Sequence, residues 1–235
     1  MRLTRVELRP LALALRTPLR TSRATYARRE GFHLRLFDAE GRVGQGEAMP
    51  LPEFGTESLA QCEAALRSAG LVERTCAPEL ACIGALLAGL ALPAAARHAV
   101  ELALLELLAQ QRGLCVARLL SPDARPSVRV NALLSERTPE ALAQEAREAV
   151  AQGFGTLKVK VGGVPLDEDA ARLEALRQAV GPAPALRVDA NGAWSTGEAL
   201  EALSRLSAYG LELCEQPVGE AQVEGWRRVH AGAPC

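Results

Sequence analysis

The chain predicts an α+β fold in two parts, an antiparallel region with helices followed by parallel strands that alternate with helices. Three observations predict it. Residues 3–16 and 31–48 alternate apolar with polar or small residues around turn signals, as antiparallel strands do. Between Leu157 and Glu215 lie three short apolar runs, LKVKVGG, RVDANGAW and LELCEQPV, each closed by charged residues. Lys160, Asp189 and Glu215 close them at intervals of 29 and 26 residues, which suit a strand, a crossover helix and a return to the next parallel strand.

Taken in order, residues 31–48 (GFHLRLFDAEGRVGQGEA) read as two strands around a turn at Asp38 to Gly41. Between the first strand and these lies TPLRTSRATYARRE, too long for a tight hairpin and predicted to be a mobile loop able to cover a site. Gly44 and Gly46 form a GxG, but no third glycine follows at the spacing of a dinucleotide fingerprint, and the run reads as strand. From Glu57 to about Gln111 alanines and leucines recur at spacings of three and four, predicting helix that stops at Gly113. His98 and Glu101 are ordinary positions on that packed helix rather than ligands.

After the turn at Ser121-Pro122-Asp123, four βα units follow. VRVNALL (128–134) reads as the first strand, and 138–152 as a helix with Thr138 as cap and Pro139 in its first position. TLKVKVG is the second strand. A helix over 166–180 follows, whose first-turn Asp167, Glu168 and Asp169 suit the helix dipole and are read as structural. LRVDANG is the third strand, with a helix over 196–208 stopped by Gly210. LELCEQP is the fourth, with a helix over 220–231. Consecutive βα units imply parallel strands covered by helices, although closing a barrel takes about eight.

Composition narrows the function. With 49% apolar residues the 235-residue chain has ample material for a core, and 27 Lys plus Arg against 28 Asp plus Glu, with 3% aromatics, offers neither a basic nucleic-acid face nor base-stacking platforms. A small-molecule partner is the expectation. Six cysteines without a CxxC pair suit reduced thiols in a cytoplasmic protein. The N-terminus lacks a signal-peptide core. Leu80 to Ala96 is uncharged, yet short for a membrane span, and Gly84, Gly89 and Pro93 mark it as buried helix broken near Pro93.

On a period-two strand Lys158 and Lys160 point one way while Leu157, Val159 and Val161 point the other. Charges at the carboxyl ends of successive parallel strands converge on one site. Asp189 and Glu215 from neighbouring strand ends make a hard oxygen site suited to Mg²⁺, though a set of two ligands is thin. Beside a metal, a lysine whose pKa is lowered by neighbouring positive charge serves as general base, and Lys160 is the candidate. The metal would hold a substrate carboxylate and stabilise the enediolate left when the α-proton departs. The competing reading is a solvated KVK face with Asp189 and Glu215 as helix caps.

KVKVG, DANGAW and EQPV, in this order and spacing, resemble the enolase superfamily, muconate-lactonizing subgroup. REGFHLRLFDAEGRVGQGEAMPLPEFGTES (29–58) resembles the capping domain, and VNALL the first barrel strand, of o-succinylbenzoate synthases. The resemblance implies an α+β capping domain over 1–122, and over 123–235 the N-terminal half of an incomplete (β/α) barrel, about four units of an enolase-type (β/α)₇β barrel. It implies Lys160 as base, Lys158 as the partner that positions the substrate carboxylate, Asp189 and Glu215 as Mg²⁺ ligands, and Asn191 as support for the metal shell. The loop over 17–28 would close over substrate.

The implied reaction is Mg²⁺-dependent dehydration of 2-succinyl-6-hydroxy-2,4-cyclohexadiene-1-carboxylate to o-succinylbenzoate, a lyase step of menaquinone synthesis. The alternatives are racemisation or epimerisation of N-acylamino acids or dipeptides, and an inactive fragment that needs a complementary half. The family takes a third carboxylate from the fifth barrel strand and a second catalytic lysine from the sixth, and this sequence stops before either. Self-association through the open edge of the fourth strand is the further expectation.

Overall fold

The computed structural model describes residues 1–20, 25–72 and 74–234. The chain divides into two compact units, Met1–Pro126 and Ser127–Cys235.

The first unit contains strands β1 (Leu3–Arg20), β2 (Thr25–Asp38) and β3 (Val43–Ala48) in a sheet of order β1-β2-β3, both pairings antiparallel. Helices α1 (Leu59–Ser68), α2 (Leu80–Ala88), α3 (Ala94–Gln111) and α4 (Val116–Leu120) follow. Phe32, Leu34 and Leu36 point from β2 into a core shared with Ala99, Val100, Ala103, Leu104 and Leu107 of α3. The GxG of β3 belongs to this packing. A Cβ on Gly44 would stand 1.9 Å from the Ala103 carbonyl oxygen, and one on Gly46 1.9 Å from that of Ala99. Paired with alanines four apart on α3, the two glycines let helix and strand approach backbone to backbone. Side chains of α3 also serve β3, since Glu106 accepts the Gln45 N–H at 2.9 Å and Gln110 donates to the Val43 carbonyl at 2.7 Å.

Two expectations for this unit are corrected. The link over 17–28 is mostly strand: β1 continues to Arg20, β2 begins at Thr25, and Leu19 lies opposite Tyr26 after a register shift. Pro18, Thr25, Ala27 and Arg28 are exposed there, and positions that bury nothing need no apolar alternation, so the sequence pattern does not reveal the strand. Residues 21–24 of the expected loop lie outside the described residues. The helical stretch from Glu57 to Gln111 is three helices. Residues 74–76 leave the helical path to pair with the N-terminus, through Leu3 N–H to Arg74 O and Cys76 N–H to Met1 O, each 2.9 Å. The break expected near Pro93 is present, with Pro93 as the N-cap residue of α3 and no capping side chain. Glu57, far back in sequence, accepts the Ala95 and Ala96 N–H groups at 3.1 and 2.8 Å instead. Burial works against its charge, but these backbone donors outweigh it and hold the Glu57 carboxyl below its ordinary range.

The second unit is a parallel sheet of order β4-β5-β6-β7, formed by β4 (Ala132–Leu134), β5 (Thr156–Lys160), β6 (Ala185–Asp189) and β7 (Leu211–Glu215). Helices α5 (Pro139–Ala151), α6 (Leu166–Val180), α7 (Thr196–Leu206) and α8 (Val223–Gly232) follow the strands in turn. Thr138 caps α5 by accepting the Ala141 N–H at 3.2 Å, Ser195 and Glu198 form a capping box on α7, and Gly210 (φ 67°) turns the chain into β7. Leu157, Val159, Leu186 and Val188 are fully buried in a core with Leu142, Ala146, Leu173 and Leu176 of α5 and α6. The strand expected over 128–134 is shorter. Val128 and Val130 are 80% and 64% exposed, so their alternation buries nothing, and only Ala132–Leu134 pair with β5.

Candidate active site

The carboxyl ends of β5, β6 and β7 bring the predicted residues together. Lys160 stands opposite Asp189, and Asp189 opposite Glu215, in the strand register. The Lys158 ammonium lies 2.8 Å from Asp189 Oδ2 and 2.5 Å from Glu215 Oε2. Lys160 Nζ donates to Asn191 Oδ1 at 2.9 Å. Asn191 in turn gives both its backbone N–H and its side-chain Nδ2 to Asp189 Oδ1, at 3.0 and 2.8 Å. The five residues form one connected network.

Local backbone aims these groups. Asn191 and Gln216 are the non-glycine residues with positive φ among the described residues, at 47° and 44°, and they lie two residues and one residue past the ends of β6 and β7. Asn suits this left-handed turn because its short side chain bonds locally. The two turns lean on each other through Ala190 N–H to Glu215 O and Gly192 N–H to Gln216 O, at 3.1 and 2.7 Å.

Burial differs sharply across the site. Asp189 is 4% exposed as a residue, whereas the Glu215 side chain is 56% exposed and that of Lys158 17%. Partial burial works against the charge on Lys158, but its hydrogen bonds to Asp189 and Glu215 and their negative charges outweigh it, so its pKa is raised. In this pairing Lys158 is held as a cation.

A brace beneath β5 was missed in the sequence. Asp169, read with its neighbours as a partner of the helix dipole, is buried and accepts the Gly162 N–H and Arg172 Nη1, both at 2.7 Å. Arg172 also donates to the Lys160 carbonyl at 3.0 Å and to Glu136 O at 3.1 Å, pinning the backbone that carries Lys160. Burial pushes the Asp169 carboxyl up, and the Gly162 and Arg172 donors offset only part of that. Asp167 pairs instead with Arg205. One sequence signal did point at the site: Lys158 and Lys160 are the chain's only lysines among 27 basic residues. Where every other cation is arginine, these two positions use the amine that can give up its proton.

The donor set fits a hard divalent cation in kind. Asp189 Oδ2 and Glu215 Oε2 already converge on one positive charge, the Lys158 ammonium, which marks where a cation would sit. Among the described residues no group of three or more His, Cys, Asp or Glu could hold a metal, so this unit offers two carboxylates. A concavity of about 550 Å³ lined by Arg129, Val130, Gln152, Phe154 and Thr156 opens at the other ends of the strands, where β5 begins, away from these charges.

An antiparallel sheet with helices, followed by parallel βα units that carry lysines and carboxylates at their strand ends, defines a two-part α+β class with a candidate cation site in its second part. Residues 4–121 match the mandelate racemase / muconate lactonizing enzyme N-terminal domain, and residues 141–235 match the enolase C-terminal domain-like family. The chain belongs to the mandelate racemase / muconate lactonizing enzyme family of the enolase superfamily.

It is 32% identical over 234 residues to the L-Ala-D/L-Glu epimerase of Bacillus subtilis, covering 97% of this chain and 64% of the relative. The dipeptide epimerase of Enterococcus faecalis V583, solved with Mg and the dipeptide L-Leu-L-Tyr, superposes with a TM-score of 0.90 at 30% identity, over 100% of this chain and 66% of that one. An o-succinylbenzoate synthase from Desulfotalea psychrophila is 33% identical over 141 residues, 60% of this chain and 38% of the relative. The chain thus spans less than two thirds of the length of these relatives. The expected synthase is the lesser likeness and the epimerases the greater, so isomerases rather than lyases dominate. No helix among the described residues is long and apolar enough to cross a membrane.

Proposed function

We propose that this chain supplies one face of a Mg²⁺-dependent site that removes the α-proton of a dipeptide, the first half of an epimerisation, and that its four βα units are part of an enolase-type barrel. The observation that carries the reading is the pairing of one cation with two carboxylates, Lys158 with Asp189 and Glu215, beside a second lysine held by Asn191. The likeness to dipeptide epimerases over nearly the whole chain favours this over dehydration.

Asp189 and Glu215 would hold the metal. Bound there, Mg²⁺ would stabilise negative charge on a substrate carboxylate as the α-proton leaves. Lys160, held at its Nζ by Asn191 and through its carbonyl by Arg172, takes that proton. Lys158, a fixed cation, orients the carboxylate. Inversion requires a proton returned to the opposite face, and removal of the α-proton at one face is the part of the reaction that these residues would perform.

The test is incubation of L-Ala-L-Glu with the chain and Mg²⁺ in ²H₂O, followed by mass spectrometry. A one-mass-unit gain at the α-carbon, lost in Lys160→Ala, supports the reading. Exchange that persists in that variant removes Lys160 as base. Dehydration of the cyclohexadiene substrate with no exchange into dipeptides would favour the synthase reading.

A further inference from the structure

We infer that the Lys158 ammonium is an internal counter-ion that keeps the Asp189–Glu215 pair closed until a divalent cation displaces it, so that cation binding is the event that frees Lys158 for a substrate carboxylate. This rests on the metal-site reading above and adds an order of events to it: cation first, carboxylate second.

The geometry is specific. Asp189 Oδ1 is taken by two donors from Asn191, which leaves Oδ2, and Lys158 occupies Oδ2 at 2.8 Å. The same Nζ holds Glu215 Oε2 at 2.5 Å. These are the two oxygens a cation would need, and an ammonium and a metal ion cannot share the point between them.

The pairing is not imposed by strand register. Lys158 stands opposite Arg187, and it is Lys160 that stands opposite Asp189. Lys158 reaches the carboxylates only by leaning along the strand on its flexible four-carbon stem, which can also swing away. Neither neighbour replaces it, because Arg187 is committed to Glu212 at 2.5 Å and Lys160 to Asn191. Burial supplies the reason for the arrangement. The Asp189 side chain is 6% exposed, and a buried carboxylate left without a counter-charge is strongly destabilising. One positive charge must always be present; a dication can take over that duty and release the ammonium into the site.

With two lysines in the whole chain, amine-reactive reagents report almost wholly on this site. In the wild-type chain treated with acetic anhydride, tandem mass spectrometry separates Lys158 from Lys160. Lys158 should acetylate slowly without divalent cation and several-fold faster with saturating MgCl₂; equal rates would overturn the inference.

Calorimetric titration with MgCl₂ gives an independent readout. Lys158→Met should bind Mg²⁺ roughly tenfold more tightly than wild type, the factor by which a latch closed nine-tenths of the time weakens apparent affinity. Lys158→Arg should bind it more weakly than wild type. Lys158→Gln carries the same expectation as the methionine variant should that one fail to fold. Asp189→Asn separates the two readings. Mg²⁺ that binds equally well to Asp189→Asn, or to no variant at all, removes the metal site and this inference together. Mg²⁺ that requires Asp189 but binds Lys158→Met no more tightly than wild type removes the counter-ion alone.

Discussion

Asp38 closes β2 in the antiparallel unit and Asp189 closes β6 in the parallel one, and the two are equally hidden, at 3% and 4% exposure. Asp38 is satisfied within its own turn. It accepts the Glu40 and Arg42 N–H groups on Oδ1, at 3.1 and 2.8 Å, and Arg42 Nε on Oδ2 at 2.7 Å, all from residues at most four away. Asp189 is satisfied locally on one oxygen only, by Asn191. Its other oxygen meets a lysine from a different strand that also serves Glu215. A buried carboxylate with local, complete partners stabilises a turn. One whose second oxygen is held by a lysine from another strand would, under the proposed metal site, exchange that partner for a metal ion, and that difference would separate structural from functional burial of charge.

The largest effect expected from this comparison is chemical. Lys160→Ala should lower α-proton exchange by about 10²- to 10⁴-fold, the usual worth of a positioned general base, while Asp38→Asn leaves the exchange rate of the folded chain unchanged. Equal losses in both would erase the distinction.

Packing comes next. Gly46→Val should destabilise the first unit by about 3 kcal/mol in denaturant unfolding, because its side chain would occupy the space of the Ala99 carbonyl. Full stability in that variant would show that α3 can withdraw from β3.

Exchanging the aspartates tests the comparison most directly. Asp38→Asn removes charge-assisted bonds and should cost about 2–3 kcal/mol. Asp189→Asn should cost under about 1 kcal/mol, since an amide oxygen can still accept from Asn191 and Lys158 keeps Glu215. The reverse order would make Asp189 the structural residue.

A smaller effect should appear in acid. Burial works against the Asp38 charge, but the hydrogen bonds and charge of Arg42 outweigh it and hold its carboxyl below the usual range. The unfolded chain therefore takes up that proton first as pH falls. The stability Asp38 contributes is full above the unfolded value near about 3.9, and is lost as pH drops through the lower folded value. Asp38→Asn should flatten the acid limb of stability measured between pH 6 and pH 2; an unchanged limb would assign it to other carboxylates.

The smallest effect concerns thiols. Burial pushes Cys62 and Cys76 up to about 12, with Glu57 adding to the shift at Cys62 and Cys82 at Cys76, while Cys115 is exposed. In the native chain iodoacetamide at pH 8 should label Cys115 well before either buried thiol.

The parallel unit was the more legible in sequence. Its helices begin at Thr138 and Ser195 and turn at Gly210, and its strands alternate with period two at Leu157 to Lys160, all signals carried by residues within a few positions of one another. The residues at the strand ends could be named for the same reason, since strand order places their charges side by side once the βα repeat is seen. The continuation of β1 to Arg20 and the cap on α3 left no such trace, because the strand there lacks apolar alternation and the capping carboxylate, Glu57, is remote in sequence.

By itself, then, the sequence determined the order of elements, the periodicity that makes them strands and helices, and the presence of two lysines and two carboxylates on consecutive strands. Only the tertiary structure decided which oxygen meets which ammonium, that Asp169 and Arg172 pin the backbone of Lys160, and that the GxG of β3 seats a helix. Those contacts join residues that are mostly remote in sequence or pointed by backbone turns, and their energies depend on distance and burial, which no local pattern of residues records.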